Sequence, residues 1–105
     1  MDNKSKAQTY IGFSIRNGKS KIGTGAVQTL KNAGLVIVCK SASENTVKEA
    51  RKLSRKFKCP LIKTTEKLLE DYTFKANSKV MAICDKDLVK AILSAKENEF
   101  VEVGD

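Results

Sequence analysis

Two short polar corners in the sequence combine residue types that can hold a phosphate group. Gly23-Thr24-Gly25 precedes a helical apolar pattern, and Lys40-Ser41 directly follows the apolar run LVIVC. Free backbone N–H groups at a helix start attract anions, and small residues let a phosphate or a base edge approach the backbone. A lysine at the carboxyl end of a buried strand lies where open α/β sheets bind ligands. The alternative interpretation of the glycine corner is a plain turn with Thr24 as N-cap.

Two segments that resemble nucleotide-binding loops fail on spacing. In GFSIRNGKS, five residues separate Gly12 from Gly18, whereas a P-loop has four, and Gly12 lies inside a helical pattern. GTGAVQ has Gln28 where a dinucleotide-binding loop has its third glycine. Neither segment therefore predicts a nucleotide cofactor.

The chain has few residues suited to catalysis or metal binding. It contains no histidine, the usual general base and the commonest metal ligand. Cys39, Cys59 and Cys84 form no C-x-x-C pair, and we expect all three to be reduced and structural. The carboxylate pairs Glu70-Asp71 and Asp85-x-Asp87 lie where helix ends use acidic residues. We therefore predict that the protein is not an enzyme and needs no metal or cofactor.

The charge of the chain is positive and unevenly distributed. The formal net charge is +8, but residues 1–63 alone carry 14 Lys and Arg against 3 Asp and Glu. Such asymmetry indicates a face that meets a polyanion, since neutralised phosphates release counterions. The alternative is a basic surface that only aids solubility. No apolar run is long enough to span a bilayer or to form a secretory signal, so we expect a cytoplasmic protein without membrane contact.

The hydrophobic pattern predicts short strands alternating with helices. We expect a helix from Ser5 to Arg16, one after residues 23–25, one capped by Ser41 or Ser43 that reaches Phe57, one capped by Thr65, and one that starts at Asp85 or Asp87. LVIVC is continuous and β-branched, which is typical of a central parallel strand. The fold class predicted is α/β, a three-layer α/β/α sandwich with a small mixed, mostly parallel sheet. We expect one domain over residues 1–105. The pattern does not predict the structure of the acidic tail, residues 97–105, and a flexible tail is one alternative.

Two exposed features leave alternatives open. The third predicted helix faces five cations outward, and such a run is usually only a solvated face. Phe74 either packs inward or is exposed on a loop that touches a ligand. The other aromatic residues mostly fall at core spacing, so the pattern does not predict a platform for stacking single-stranded bases.

Residues 8–95 resemble the YlxQ-type bacterial branch of the kink-turn RNA-binding ribosomal proteins, the superfamily of archaeal large-subunit protein seven-Ae and eukaryotic large-subunit protein thirty-e. The resemblance rests on Gly12, Arg16-x-Gly18-Lys19, Gly23, the strand LVIV, and ASENT at residues 42–46, followed by CPLI and VMAICDKD. It implies an α/β/α sandwich that binds kinked RNA within ribonucleoprotein particles. It also implies RNA contacts at residues 23–26, 40–42 and 72–77. The RNA-binding residues that we expect are Lys19, Lys21, Gly23, Thr24, Gly25, Gln28, Lys31, Lys40, Ser41, Phe74 and Lys75.

The sequence departs from this family at the positions that read bases. Kink-turn readers usually carry Asn-Glu at the helix start, where this chain has Gly25-Ala26. Lys40-Ser41 replaces acidic residues that are common after the strand. Phosphate contacts position a protein and base contacts specify its target, so the exchange predicts salt-sensitive RNA affinity with weakened kink-turn specificity.

The function predicted is that of a monomeric, non-catalytic protein of translation that binds structured RNA, with ribosomal RNA as the expected partner and ribosomal proteins as further partners. One alternative is a family member whose RNA site has degraded and which now acts as a protein-interaction module. Another is a domain related to the RNA-positioning modules of RNA-modifying enzymes, without their catalytic part.

Overall fold

The computed structural model describes residues 5–95 and 98–103. Helices and strands alternate along most of this range. The elements are α1 (Lys6–Arg16), β1 (Ser20–Ile22), α2 (Thr24–Gln28), β2 (Leu35–Val38), α3 (Glu44–Phe57), β3 (Leu61–Thr64), α4 (Glu70–Thr73), β4 (Val80–Ile83), α5 (Lys86–Ser94) and β5 (Phe100–Glu102). None of the helices in the described ranges is long and apolar enough to cross a bilayer.

The strands form one sheet in the order β1-β4-β2-β3-β5. Only β2 and β3 pair in parallel; β4 runs antiparallel to both β1 and β2, and β5 runs antiparallel to β3. The fold is therefore α/β, but the prediction of a mostly parallel sheet is wrong. A strand buried on both faces reads as a continuous apolar run in either direction, so its hydrophobic pattern does not reveal its orientation.

Residues of the central strands alternate between two apolar clusters. Leu35, Ile37 and Cys39 of the β2 segment pack with residues of α1, α4 and α5. Val36 and Val38 pack with residues of α2 and α3. All four residues of β2 and all four of β4 are buried, which accounts for their unbroken apolar sequence.

Side-chain caps are present at the starts of α1, α3 and α5. Ser5 forms a capping box with Gln8, and Asp85, one of the two residues predicted to start α5, accepts hydrogen bonds from the first turn of that helix. Of the two candidate caps for α3, Ser43 is the N-cap. The helix predicted after Thr65 starts later than expected, because residues 65–67 are bends, residue 69 lies in a turn and α4 covers only Glu70–Thr73. The turn competes well here because the Asp71 carboxylate accepts a hydrogen bond from the Leu68 N–H.

Part of the acidic tail belongs to the sheet. Within residues 97–105, β5 pairs with β3 and buries Phe100. Phe100 contacts the ring of Tyr72, with 5.1 Å between ring centroids. Residues 97, 104 and 105 of this tail lie outside the described ranges. The contact with Tyr72 and the pairing of three residues with β3 thus hold this segment in the sheet. Its sequence is too polar for a strand to be predicted from the hydrophobic pattern alone.

The carboxylate of Glu99 joins three parts of the chain. It accepts hydrogen bonds from the hydroxyls of Ser5 and Tyr72, at 2.9 and 2.8 Å. Lys67 adds an ion pair at 3.4 Å. The Tyr72 side chain is fully buried, and its burial, together with the hydrogen bond to Glu99, raises the pKa of its hydroxyl above the ordinary value of 10.0.

We expect Tyr72→Phe to lower the free energy of unfolding by about 1–3 kcal/mol near neutral pH, because it removes a buried hydrogen bond to a charged group. Above pH 10.0 the Tyr72 hydroxyl loses its proton in the unfolded chain but keeps it in the folded protein. The stabilisation is therefore fully present below pH 10.0 and is lost as the pH rises further. Urea unfolding followed by circular dichroism from pH 7 upward measures both effects.

The control for this experiment is Tyr10→Phe, which removes the hydroxyl of a half-buried tyrosine on α1. Above pH 10 the wild type and the Tyr10 variant should lose stability more steeply than the Tyr72 variant. Parallel pH profiles for all three proteins would contradict the assigned role of Tyr72.

Candidate nucleic-acid interface

Three separate segments of the chain meet where β4 begins. The Gly23 N–H donates to the Val80 carbonyl at 2.7 Å, and the Cys39 N–H donates to the Lys79 carbonyl at 2.8 Å. The corners that follow β1 and β2 therefore lie on either side of the first residues of β4. The loop that precedes β4 ends at the same place. We call the surface formed by residues 23–25, 40–41 and 74–79 the basic edge.

The two predicted corners lie at the same edge of the sheet but are not in direct contact. Consecutive units usually pack together, which would make the two corners neighbours. Instead, β4 lies between β1 and β2, which separates the corners by two strand spacings, or about 10 Å. This separation makes the basic edge a broad surface instead of a single pocket.

Lys79 connects the loop before β4 to the corner after β2. Its Nζ donates to the hydroxyl of Ser41 at 2.7 Å. The same hydroxyl lies 3.2 Å from the sulfur of Cys39, which also accepts the Leu69 N–H at 3.3 Å. These contacts hold both the ammonium group and the corner in one arrangement.

The electrostatics of this cluster are visible at Cys39. Burial raises the pKa of its thiol, but the Leu69 N–H, the Ser41 hydroxyl and the Lys79 charge together outweigh burial and hold the pKa below its ordinary value. All three cysteines are free thiols, and Cys39 is fully buried. The Lys79 charge therefore acts on the corner that follows β2, together with these hydrogen bonds.

Lys40 is exposed on a backbone that is firmly held. Its N–H donates to the hydroxyl of the buried Thr64 at 2.9 Å, which ties the end of β2 to the end of β3. The lysine side chain carries none of this structure. Lys40 is thus available to contact a ligand without loss of folding.

The loop at residues 74–79 is held by its own hydrogen bonds. The hydroxyls of Thr73 and Ser78 lie 2.8 Å apart and are buried, and Ser78 also donates to the Lys75 carbonyl at 2.7 Å. The Asn77 N–H donates to the Glu70 carboxylate at 2.6 Å. These hydrogen bonds restrict the conformations of the loop backbone, so Lys75 is held in one position.

Phe74 is exposed and does not pack inward. Its side chain is 71% exposed, and its backbone has φ 58° in the left-handed region. Tyr72, in contrast, is fully buried, so only the later part of the implied contact segment 72–77 faces solvent with its large side chains.

The structure does not bring every predicted RNA-binding residue to the basic edge. The Lys19 carbonyl accepts the Cys84 N–H, and the Asn32 carbonyl lies 3.9 Å from the Cys84 sulfur. Lys19 and Lys31 therefore lie at the opposite end of β4. Lys21 is exposed in the middle of β1, and Gln28 is exposed at the far end of α2, where its carbonyl accepts Lys56.

At the glycine corner the N-cap of α2 is Gly23, whereas the sequence offered Thr24 as the cap of a plain turn. Gly23 is the N-cap of α2, with φ 98° and ψ 143°, and Thr24 is the first helical residue. α2 has only five residues, so its dipole is small. What this corner contributes to the basic edge is an exposed small residue, Gly25.

The cationic face of α3 is partly neutralised by contacts within the protein. Lys52 forms an ion pair with Glu49, and Lys56 donates to the Gln28 carbonyl. These contacts agree with an ordinary solvated face. Among residues 5–95 and 98–103, no group of acidic or cysteine side chains could hold a metal ion.

Sequence reasoning missed Lys79. The residue stands directly before the apolar run VMAIC, where a lysine looks like an unremarkable strand flank. Only the antiparallel pairing of β4 with β2 brings it to Ser41. The available signal was its position between a loop expected to touch RNA and a buried strand.

Comparison with known proteins shows the fold alone. No protein-family model matches this chain, and no curated protein matches it. A solved structure described as a protein with unknown function from Bacillus halodurans C superposes with a TM-score of 0.73 at 18% sequence identity. The match covers 90% of this chain and 99% of that one. The similarity shows that the two chains share a fold.

We expect Gly23→Ala to lower the free energy of unfolding by about 1–3 kcal/mol, because only glycine adopts this backbone conformation without strain. Gly25→Ala is the matched control: no atom lies within 4 Å of the added Cβ, and the residue is helical. It should leave stability unchanged or raise it by up to about 1 kcal/mol. Urea unfolding of both variants tests this, and equal effects would contradict the assignment.

Proposed function

We propose that the protein is a non-catalytic RNA-binding protein that recognises structured RNA through the basic edge. The observation that carries the proposal is the meeting of three distant segments at the start of β4. Each of them presents a small residue, a lysine or an aromatic ring. Lys40, Lys75 and Lys79 contribute three positive charges to one surface, on backbone that is held by hydrogen bonds.

The chemistry of this surface favours phosphate contacts over base reading. Lysines neutralise phosphates and release counterions, so binding should weaken steeply as salt rises. The corner at Gly25 and Ala26 offers no side chain that could read a guanine edge. The protein should therefore bind several folded RNAs, with a reduced preference for kink-turns.

The proposal extends to the wider family and setting. We infer a member of the YlxQ-type branch of the kink-turn RNA-binding proteins, with a three-layer α/β/α arrangement in which α1, α4 and α5 cover one face of the sheet. In this setting the protein acts as a monomer in the cytoplasm, on ribosomal RNA and beside ribosomal proteins. The motif order described for residues 8–95 supports this inference.

A second candidate function is that of a protein-interaction module. The absence of base-reading side chains at Gly25 and Ala26 favours it. The cluster of lysines at the basic edge opposes it, because exposed lysines are depleted in protein interfaces.

We expect the double variant Lys40→Glu, Lys75→Glu to bind a structured RNA at least about tenfold more weakly at low salt, and its slope of log K against log salt to be smaller by about 2. Both side chains are exposed, so folding should be preserved. Fluorescence anisotropy with a labelled RNA hairpin, at a series of salt concentrations, measures both quantities.

The matched control is Lys86→Glu, Lys90→Glu. It makes the same change of charge on exposed residues of α5, which begins at the opposite end of β4. Equal losses of affinity in the two double variants would mean that RNA responds only to net charge. That result would refute the basic edge as the binding surface.

A further inference from the structure

A groove lies between α1 and the end of α4, next to the loop of the basic edge. Its volume is about 340 Å³, and it is lined by Thr9, Gly12 and Arg16 of α1 and by Tyr72 and Phe74. One face of α1 therefore lines one side of the groove, and the exposed Phe74 is among the residues that line the other. Lys75, which is part of the basic edge, follows Phe74 directly in the chain.

Gly12 stands in the interior of α1, where folding gives no reason for a glycine. Glycine destabilises a helix interior relative to alanine. No atom lies within 4 Å of the position that its Cβ would take, and its backbone is not left-handed. Packing within the protein therefore does not require the missing side chain. Its absence leaves the helix backbone open on the α1 side of the groove.

Phe74 is unfavourable for folding in two ways. A large apolar side chain that is 71% exposed gains little from burial, and a left-handed backbone is strained for a bulky residue. Hydrogen bonds fix this arrangement, because the Phe74 N–H donates to the Glu70 carbonyl at 2.8 Å. Strain of this kind is typical of positions that contact a ligand.

The charge of the groove complements a nucleic acid. Arg16 is the one charged side chain among the residues that line it. The Gln8 side chain is engaged with the Ser5 N–H and the Asp71 carbonyl, whereas the Thr9 hydroxyl, which donates to the Ser5 carbonyl, can still accept a hydrogen bond. A flat ring, an open backbone and a single cation suit a planar, polar-edged group attached to a phosphate.

We propose that this groove receives one unpaired nucleobase of an RNA whose backbone lies on the basic edge. The base stacks on the ring of Phe74, its edge lies over Gly12, and Arg16 contacts the neighbouring phosphate. Unpaired bases stack on aromatic side chains in this manner. The inference rests on the proposed function, since the groove and the basic edge share the loop that carries Phe74 and Lys75.

The experiment compares two RNA hairpins that differ only in one unpaired position, which is an adenosine in the first and an abasic residue in the second. The wild type should bind the adenosine hairpin about tenfold more tightly, because stacking of one base on an aromatic side chain contributes an affinity gain of about this magnitude. Phe74→Gly removes the ring and suits the left-handed backbone, and Gly12→Leu fills the groove and favours the helix. Both variants should bind the two hairpins equally, with the affinity that the wild type has for the abasic hairpin.

Lys90→Leu, an exposed change on α5, is the control and should keep the tenfold difference. Thermal unfolding checks that each variant is folded. If Phe74→Gly and Gly12→Leu keep the preference for adenosine, the inference is overturned, and the groove suits a protein segment instead. If the wild type binds both hairpins equally while Lys40→Glu, Lys75→Glu weakens both, the inference alone fails. If the wild type binds neither hairpin, the proposed function fails with it.

Discussion

The position of β4 between β1 and β2 determines which residues of this protein can act together. β4 runs opposite to both neighbours, so the ends of β1 and β2 lie beside its beginning. Two backbone hydrogen bonds, from Gly23 to Val80 and from Cys39 to Lys79, close this arrangement. Because β4 is buried on both faces, its register is held by the apolar clusters on either side of the sheet. A slip of one residue would exchange the two faces and would move every segment of the basic edge.

The segments at this edge are rigid because their polar groups are satisfied by one another. Lys79 binds Ser41, Ser41 contacts Cys39, and the hydroxyls of Thr73 and Ser78 pair below the loop. Rigid backbone presents Lys40 and Lys75 to solvent with little further ordering when a ligand binds. The remaining strain is local, at Phe74 and Asn77, where the backbone is left-handed. Stability and the proposed RNA binding thus depend on different side chains, so substitutions can separate the two.

The sequence allowed most of the elements, and the position of two corners at the ends of strands, to be predicted, but not the arrangement that joins them. The end of α1 at Arg16, the end of α3 at Phe57 and the strands LVIV and VMAI are local signals, and the structure agrees with them. The direction of β4 is not encoded in its local sequence, since an apolar run packs equally well in either direction. For that reason the positions of Lys79, Lys19 and Lys31 could not be predicted. The strand at Phe100 depends on the contact with Tyr72, and the groove depends on the packing of α1 against α4. Neither leaves a periodic pattern in the chain.

The most direct test of the account is the affinity of the purified protein for a standard kink-turn RNA and for a plain duplex of equal length, measured across a range of salt concentrations. The proposed function predicts that both RNAs bind at low salt and that both affinities fall steeply with salt. The kink-turn RNA should bind more tightly than the duplex only by the contribution of its unpaired bases. Absence of binding to either RNA at low salt would contradict the central claim and would favour a protein partner for the basic edge.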